Sequence, residues 1–289
     1  MGSAFMKNNT IAIFLAAYFL FLAAHVGFSG APAPAAPMAA APAAPEAAYQ
    51  LEPVSAAQSL NSKDRKNQEL ASCEYQLLAL SVANLEELAL PDAEAANRNV
   101  EAFNARMASM MEEFEDYGRE VSGDAQSAYQ DGNLIAPYYD RVNTEGAILG
   151  GVVSLRIEQV GWCGGFHPNH LVYGCLFDLA TGQFILEPSQ LADDPAAFQA
   201  GIGERLIEKA DGWTDGSWGY WDDYQDIITG GSGVTVLDET GLTVVYAPYE
   251  LGCYAIGMVE LHLDWEELAD LLGPGGLDKL GVELPEAAE

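Results

Sequence analysis

The residues best suited to molecular recognition form a short loop from Gln159 to Asn169, which reads Q-V-G-W-C-G-G-F-H-P-N. Gly164 and Gly165 allow positive φ and a close backbone approach, so they aim His167 and Asn169 at a fixed place. The proline between His167 and Asn169 stiffens the segment. We interpret this loop as half of a binding site.

A second loop, Ala247 to Gly257, is rich in glycine and tyrosine and reads A-P-Y-E-L-G-C-Y-A-I-G. Tyr249 and Tyr254 each offer flat apolar area and a hydroxyl group, which is the chemistry of recognition surfaces. We expect this loop to supply the other half of the site. Two alternatives stay open: His167 only holds its own turn through backbone contacts, and the tyrosines only pack on a sheet edge.

Residues 213–224 form a third candidate segment, dense in aromatic and acidic side chains. Such a segment could stack sugars or clamp a cationic surface, and the alternative is that it is partly core. Acids between Asp215 and Asp223 would steer a cationic partner. The members that we assign to the binding surface are Trp218, Trp221, Asp222 and Asp223.

Sequence motifs of catalysis are missing from the chain. It has no G-x-S-x-G elbow, H-E-x-x-H pair, Walker loop or dinucleotide-binding fingerprint. His167 and His170 are three residues apart, but the proline between them disfavours a helical metal pair. His262 is expected on the wet face of a strand. We therefore predict a protein that is not an enzyme and has no metal and no cofactor.

The charge balance is strongly acidic, with 12 Lys and Arg against 43 Asp and Glu and a net charge of -31. Phosphate binding needs clustered basic residues, so nucleic acid is excluded as the expected partner. The negative field favours a cationic partner and speeds its encounter. The simpler alternative is that the acids only keep the protein soluble.

The N-terminal segment, residues 1–30, predicts export. One charge, Lys7, precedes an apolar run over residues 11–28, which is typical of a signal peptide and nearly long enough for a membrane anchor. Residues 31–67 read as a linker, first Pro/Ala-rich and then polar and poorly ordered. We expect an extracytoplasmic domain, periplasmic or at the cell surface, and the sequence leaves cleavage of the segment open.

Four cysteines follow: Cys73, Cys163, Cys175 and Cys253. None is in a C-x-x-C pair, and the spacings do not suit zinc. An even number in an exported chain favours disulfides, and four cysteines allow three pairings. If the two loops meet, Cys163–Cys253 is the natural bridge and leaves Cys73–Cys175. Buried free thiols are the alternative.

The strongest helix signal follows Pro91 and Asp92, where apolar residues recur every three or four positions. We expect this helix to end at Gly123. Two shorter helices are predicted over residues 195–210 and 265–272, the second capped by Asp264 with Glu267. The apolar stripe of the first helix consists of Val100, Phe103, Met107, Met110, Phe114, Tyr117 and Val121.

Strands are predicted where apolar and polar residues alternate or where short apolar runs flank a turn signal. Long helices and hairpin strands without β–α–β alternation are typical of the α+β class. We predict an antiparallel sheet built from hairpins, with helices packed on one side. The predicted strands are residues 74–85, 134–143, 148–160, 171–179, 184–186, 234–237, 242–246 and 258–263.

Three motifs, in order, carry a resemblance to a known family: G-G-F-H-P-N from Gly164, F-D-L-A-T-G from Phe177, and D-E-T-G-L-T-V-V-Y-A-P-Y-E-L-G-C-Y-A-I-G from Asp238. They resemble Y-x-G-G-A-H-x-N, F-D-L-x-T-G and p-Y-E-I-G-p-Y-A-x-G in the extracytoplasmic domain of RsiV-type anti-sigma factors. PdaC-type peptidoglycan deacetylases carry the same domain as a non-catalytic module. Residues 70–273 take part in the match.

The resemblance implies an α+β fold with a PdaC-like half, 68–160, and an RsiV-like half, 161–274, in one compact unit. From the sequence after Gly275 we expect a loose tail, 275–289. For RsiV-like members it also implies direct binding of lysozyme, a cationic protein. Two residues in the proposed site depart from the family pattern: Phe166 replaces alanine and Cys253 replaces proline. At most ten residues precede the apolar run, too few for a sigma-factor-binding segment.

From these observations we expect an exported, non-catalytic binding protein that captures a cationic cell-wall-active protein such as lysozyme and could inhibit it. Gly164, Gly165, His167, Tyr249 and Tyr254 would shape the surface, with Asn169 beside them. The alternative is a glycan- or peptidoglycan-binding accessory module that uses the tyrosines and tryptophans for stacking. A cell-wall hydrolase or deacetylase is the less favoured third reading.

Overall fold

Six strands follow the order of the chain across the larger of two sheets. The computed structural model describes residues 49–64, 66–83, 90–213 and 220–284, so the predicted signal segment and the Pro/Ala tract lie outside the described residues. Every neighbouring pair in this sheet is antiparallel except the second and third strands. Its strands are β1 (Tyr49–Asn61), β2 (Glu69–Val82), β3 (Tyr138–Leu149), β4 (Val152–Trp162), β5 (Asn169–Asp178) and β6 (Gln183–Ile185).

The parallel pair, β2 and β3, is joined through helix α1 (Leu90–Gln130). This is a β–α–β crossover, which the prediction had excluded. The pairing is short, from Ala71↔Tyr138 to Tyr75↔Val142. The apolar stripe of α1 faces the sheet, where Phe103 meets the Phe177 ring edge-on at a centroid distance of 5.3 Å. The long helix therefore covers one face of the six-stranded sheet.

The opposite face of the larger sheet meets a second, three-stranded sheet. Side chains alternate across a strand, so Ser154 points away from α1, and its hydroxyl oxygen accepts a 2.8 Å hydrogen bond from the Leu237 amide. The second sheet is antiparallel throughout. Its strands are β7 (Val234–Leu237), β8 (Gly241–Tyr246) and β9 (Val259–Asp264).

Three further α-helices lie in the described part of the chain: α2 (Pro195–Trp213), α3 (Tyr224–Thr229) and α4 (Trp265–Lys279). A shared apolar core joins α2, α4 and the three-stranded sheet; its buried members include Phe198, Leu206, Val244, Leu261 and Leu268. The α+β class is confirmed. The arrangement of one sheet with helices on one side is wrong, because α1 lies on one face of the large sheet and the second sheet lies on the other.

A buried polar cluster lies between α1 and the large sheet. Asp140 on β3 is completely buried, and its two carboxylate oxygens accept hydrogen bonds of 3.0 and 3.1 Å from the Gln159 amide. The Gln159 carbonyl in turn accepts a 3.1 Å bond from the Tyr173 hydroxyl. Burial raises the pKa of Asp140 to about 6, although the bond from Gln159 opposes the shift.

Several element boundaries differ from the predictions. Residues 50–61 of the expected linker form the edge strand β1, because its backbone pairs along its whole length with β2 while its side chains stay largely exposed. Helix α1 continues past Gly123 to Gln130, since this glycine is on the exposed side and the flanking Val121 and Ala125 are buried. One glycine on a wet face costs about 1 kcal/mol, which packing offsets.

Residues 275–284 of the expected loose tail are ordered, and the remainder of the tail lies outside the described residues. Helix α4 changes direction at Gly273, where φ is 71°, and then continues. Leu280 is buried, the Lys279 carbonyl accepts a 2.8 Å hydrogen bond from the Gly151 amide, and the Lys279 ammonium lies 2.7 Å from Asp178. The tail is therefore attached to the β3–β4 turn. The capping box of Asp264 and Glu267 is confirmed. Among the described residues, none of the helices combines the length and the apolar composition of a membrane span.

Candidate functional site

The loop between β4 and β5 turns at Gly164, whose φ is 86°. A β-carbon at this position would lie 2.8 Å from the Tyr138 hydroxyl oxygen, so both the backbone angle and the space require glycine. The Trp162 indole donates a 2.8 Å hydrogen bond to the Gly165 carbonyl and holds the turn. The loop projects Phe166, which is fully exposed, and then His167.

His167 joins the first loop to the second. Its imidazole stacks on the Tyr254 ring, with centroids 3.7 Å apart and planes 18° from parallel. Its Nε2 lies 3.0 Å from the Tyr249 hydroxyl, and its Nδ1 lies 2.9 Å from the Pro168 carbonyl oxygen. The Tyr249 and Tyr254 rings are themselves 5.6 Å apart. The two loops that were interpreted as halves of one site therefore meet, through side chains rather than a disulfide.

Tyr249 has a strained backbone, with φ at 77° although it is not glycine. Two local contacts hold the turn: the Glu250 amide donates to the Ala247 carbonyl at 3.0 Å, and the Ala247 amide donates to the Glu250 carboxylate at 2.6 Å. Burial raises the pKa of Glu250. A left-handed conformation costs a residue with a side chain roughly 1–2 kcal/mol, and such strain concentrates at functional sites. Here it directs the Tyr249 ring towards His167.

Trp221 attaches the third candidate segment to the tyrosine loop. Its indole donates a 3.2 Å hydrogen bond to the Tyr249 carbonyl, and its amide donates a 2.7 Å bond to the Leu251 carbonyl. The Trp221 side chain stays 42% exposed and Tyr249 stays 55% exposed. Asp222 and Asp223 follow and are both exposed. Trp218 lies outside the described residues.

The remaining site residues are placed as follows. Asn169 is half-buried and begins β5 opposite Gly161. His170, which the prediction did not assign to the site, points its ring edge at Tyr254 with a centroid distance of 6.2 Å. Phe166 was likewise not assigned, and its signal was the departure from the alanine of the resembled family. Within the described ranges, no three His, Cys, Asp or Glu side chains cluster as metal ligands.

The disulfide prediction is wrong, because all four cysteines are free thiols. Cys73 on β2 and Cys175 on β5 are separated by at least three strand spacings, or about 14 Å across the sheet, which is beyond the reach of a disulfide. Cys163 lies two residues after Gly161, the partner of Asp140, so its side chain is on the α1 side of the sheet, where it contacts Tyr117. Burial raises the pKa of the Cys163 thiol to about 12.

Comparisons with known proteins show the fold of this chain. No protein-family model and no curated protein matches it. A solved structure of a DUF3298 family member from Bacteroides fragilis is similar, with a TM-score of 0.50 and 14% identity, covering 81% of this chain and 98% of that one. A DUF3298 family protein from Pseudomonas aeruginosa matches with a TM-score of 0.45 and 13% identity, covering 78% and 95%. The structural neighbours of this α+β fold are thus proteins of a domain family of unknown function.

Proposed function

We propose that the protein is an exported, non-catalytic binding protein that captures a cationic cell-wall-active protein such as lysozyme and could inhibit it. The observation that carries the proposal is the contact between His167, Tyr249 and Tyr254, which brings two distant loops into one half-exposed aromatic cluster. The resemblance of these loops to RsiV-type domains supplies the class of partner.

Exposure and strain support a binding role for this cluster. Phe166, Tyr249 and Trp221 are among the large apolar side chains that remain exposed. The Trp221 indole is fixed by its hydrogen bond to the Tyr249 carbonyl, and Tyr249 is fixed by its turn and its bond to His167. Aromatic residues that are already held in place lose little entropy when a partner covers them. Backbone strain of the kind seen at Tyr249 concentrates at functional sites, so we infer that the ring serves a ligand.

Charge supports the cationic class of partner. The chain has a net charge of -31, and Asp222 and Asp223 are exposed beside Trp221 at the edge of the cluster. Such a field accelerates the encounter with a basic protein, while the aromatic cluster provides the contact area. Affinity should then fall steeply as salt screens the charges.

A salt titration tests the proposal. Binding of the intact protein to lysozyme and to soluble peptidoglycan fragments would be measured by calorimetry between about 0.02 and 0.5 M salt. We expect lysozyme to bind, with affinity that falls with salt. Tyr254→Ala should weaken binding by about tenfold or more, because it removes the support of His167. Leu186→Ala is the control, since Leu186 is an exposed apolar residue outside the two loops.

A glycan-binding role is the second candidate, because the exposed faces of Trp221 and Tyr249 also suit sugar stacking. In the same titration, glycan binding that changes little with salt, together with no binding of lysozyme at low salt, would establish this second function and reject the first. Release of acetate or sugar from the fragments would instead indicate the hydrolase or deacetylase alternative.

A further inference from the structure

The hydrogen bonds of His167 define which of its nitrogens carries the proton. Nδ1 lies 2.9 Å from the Pro168 carbonyl oxygen, and a carbonyl oxygen can only accept. Nδ1 is therefore the N–H nitrogen of the neutral ring. The neutral imidazole then has a free lone pair on Nε2, which must accept whatever hydrogen bond it makes.

This tautomer determines whether the Tyr249 hydroxyl can donate or accept a hydrogen bond with a partner. The hydroxyl lies 3.0 Å from Nε2 and donates its one proton there. Its oxygen keeps its acceptor lone pairs, and Tyr249 is 55% exposed. The exposed side of this hydroxyl can accept a hydrogen bond and cannot donate one. A ligand group at this point must therefore be a donor.

The surroundings narrow the class of donor further. Aromatic rings lie nearby: the Tyr254 centroid is 5.6 Å from that of Tyr249, and the half-exposed Trp221 indole donates to the Tyr249 carbonyl. Asp222 and Asp223 follow Trp221 in the chain and are exposed. A guanidinium group is planar, stacks on aromatic rings, carries several N–H donors and keeps its positive charge. An ammonium group carries the positive charge and N–H donors, but it has no planar group that could stack on an aromatic ring.

We propose that this site takes an arginine side chain of the partner, held by the Tyr249 hydroxyl oxygen and the aromatic faces, and that protonation of His167 releases it. The proposal rests on the binding role given above and adds the recognised group and its pH control. It does not depend on which protein carries the arginine.

Protonation reverses the hydrogen bond between His167 and Tyr249. Both ring nitrogens of a charged imidazole are donors, so Nε2 then donates to the Tyr249 oxygen and the hydroxyl proton turns outwards. The exposed side now presents a donor, and a positive charge lies 3.0 Å behind it. An approaching guanidinium group then faces the outward hydroxyl proton and is repelled by the imidazolium charge. Binding should therefore be strong at neutral pH and weak in mild acid.

Other groups face the same cluster and must be separated from His167. His170 points at Tyr254, and Tyr139 lies beside Tyr254 with Arg141 5.3 Å above its ring. Glu250 accepts the Ala247 amide under Tyr249, and Asp222 and Asp223 lie at the edge. His170 and Glu250 are therefore each substituted separately from His167.

The test uses the intact protein and three small probes: the N-acetyl amides of arginine, of lysine and of citrulline, which is the neutral analogue of arginine. Binding is followed by NMR of the tyrosine and histidine ring signals at about pH 8 and about pH 5.5. We expect the arginine probe to bind about tenfold more tightly than the citrulline probe at the higher pH, and more tightly than the lysine probe. At the lower pH its affinity should fall about tenfold.

Single substitutions assign the effect. Tyr249→Phe keeps the ring but should weaken arginine binding about tenfold, since it removes the acceptor. His167→Gln should make binding independent of pH, whereas His262→Gln, outside the site, should leave the pH dependence intact. Equal binding of arginine and citrulline would overturn the proposal. So would a pH dependence that disappears in His170→Gln or Glu250→Gln and persists in His167→Gln.

The two proposals fail in different ways. If lysozyme does not bind but the arginine probe does, the partner is wrong and the arginine site stands. If lysozyme binds with equal affinity to the wild-type protein and Tyr249→Phe, and excess arginine amide does not compete, the binding function stands and the arginine site is wrong.

Discussion

The imidazole of His167 lies against the ring of Tyr254, with centroids 3.7 Å apart and planes inclined by 18°. This pair joins a loop of the six-stranded sheet to a loop of the three-stranded sheet. Stacking between rings adds roughly 0.5–1.5 kcal/mol beyond the area that it buries. Because Tyr249 also bonds to His167, the two loops form one surface whose shape depends on both sheets.

The strain at Tyr249 can be measured by comparing two substitutions that both remove the ring. The φ angle at this position is 77°. Tyr249→Ala keeps a β-carbon there, whereas Tyr249→Gly removes it. We expect the glycine variant to be more stable than the alanine variant by about 1 kcal/mol in urea unfolding, because glycine adopts positive φ without steric cost. An alanine variant of equal or higher stability would show that the turn is not strained. Both variants should lose partner binding.

The two adjacent glycines of the first loop give a matched test of local geometry. Gly164→Ala should lower the free energy of unfolding by about 1–2 kcal/mol, since it combines φ of 86° with a β-carbon 2.8 Å from the Tyr138 hydroxyl oxygen. Gly165→Ala is the control, because its β-carbon would approach nothing closer than the His167 carbonyl oxygen at 3.7 Å. Thermal or urea unfolding measures both. Equal losses in the two variants would contradict the assigned turn.

Asp140 predicts a specific dependence of stability on pH. Burial raises its pKa to about 6 in the folded protein, so the native state binds more protons than the unfolded state between about pH 4 and pH 6. Its contribution to the free energy of unfolding therefore falls as pH rises through this range and stays low above it. Asp140→Asn removes the buried charge and should raise stability at pH 7 by up to about 3 kcal/mol.

The comparison for Asp140 is urea unfolding of the wild type and Asp140→Asn at matched pH values. Their difference should grow from about pH 4 to about pH 6 and then level off. A variant that is less stable than the wild type at pH 7 would show that the carboxylate is needed by its hydrogen-bond partner Gln159.

Free thiols give a fourth prediction. Alkylation of the unfolded protein without prior reduction should modify all four cysteines, and a reductant should leave the unfolding temperature unchanged. In the folded protein, Cys163 should react slowly at pH 8, because burial raises the pKa of its thiol to about 12 and little thiolate is present. Mass spectrometry counts the modified residues. Fewer than four modified cysteines in the unfolded chain would show that a disulfide is present.

Several elements were predictable because their patterns are local. Strand β4, which contains Val153, Leu155 and Ile157, and the packed face of α2, with Phe198 and Leu206, follow directly from alternation and helical spacing. The capping box of α4 lies within four residues of sequence. The contact between the two loops was also anticipated, because both are rich in glycine and aromatic residues.

Other features depend on distant partners and left no local signal. Strand β1 is polar and exposed, so only its pairing with β2 makes it a strand. Gly123 is typical of a helix end, yet the burial of Val121 and Ala125 continues the helix. The thiol of Cys163 faces α1 because side chains alternate along β4 and the register with β3 fixes which of them are on that side. The spacing of the cysteines in the sequence does not reveal this register.

The parallel pairing of β2 with β3 has a consequence for synthesis of the chain. Strands β3 to β6 pair with one another in chain order through short connections, and so do β1 and β2. In contrast, Ala71 on β2 cannot meet Tyr138 on β3 until all of α1 has emerged. Closing so long a segment costs entropy and slows folding. During translation the edge of β2 that later pairs with β3 is therefore unpaired, and it is open to pairing with other chains. Substitutions that weaken α1 should then appear first as lower soluble yield and only later as a lower unfolding temperature.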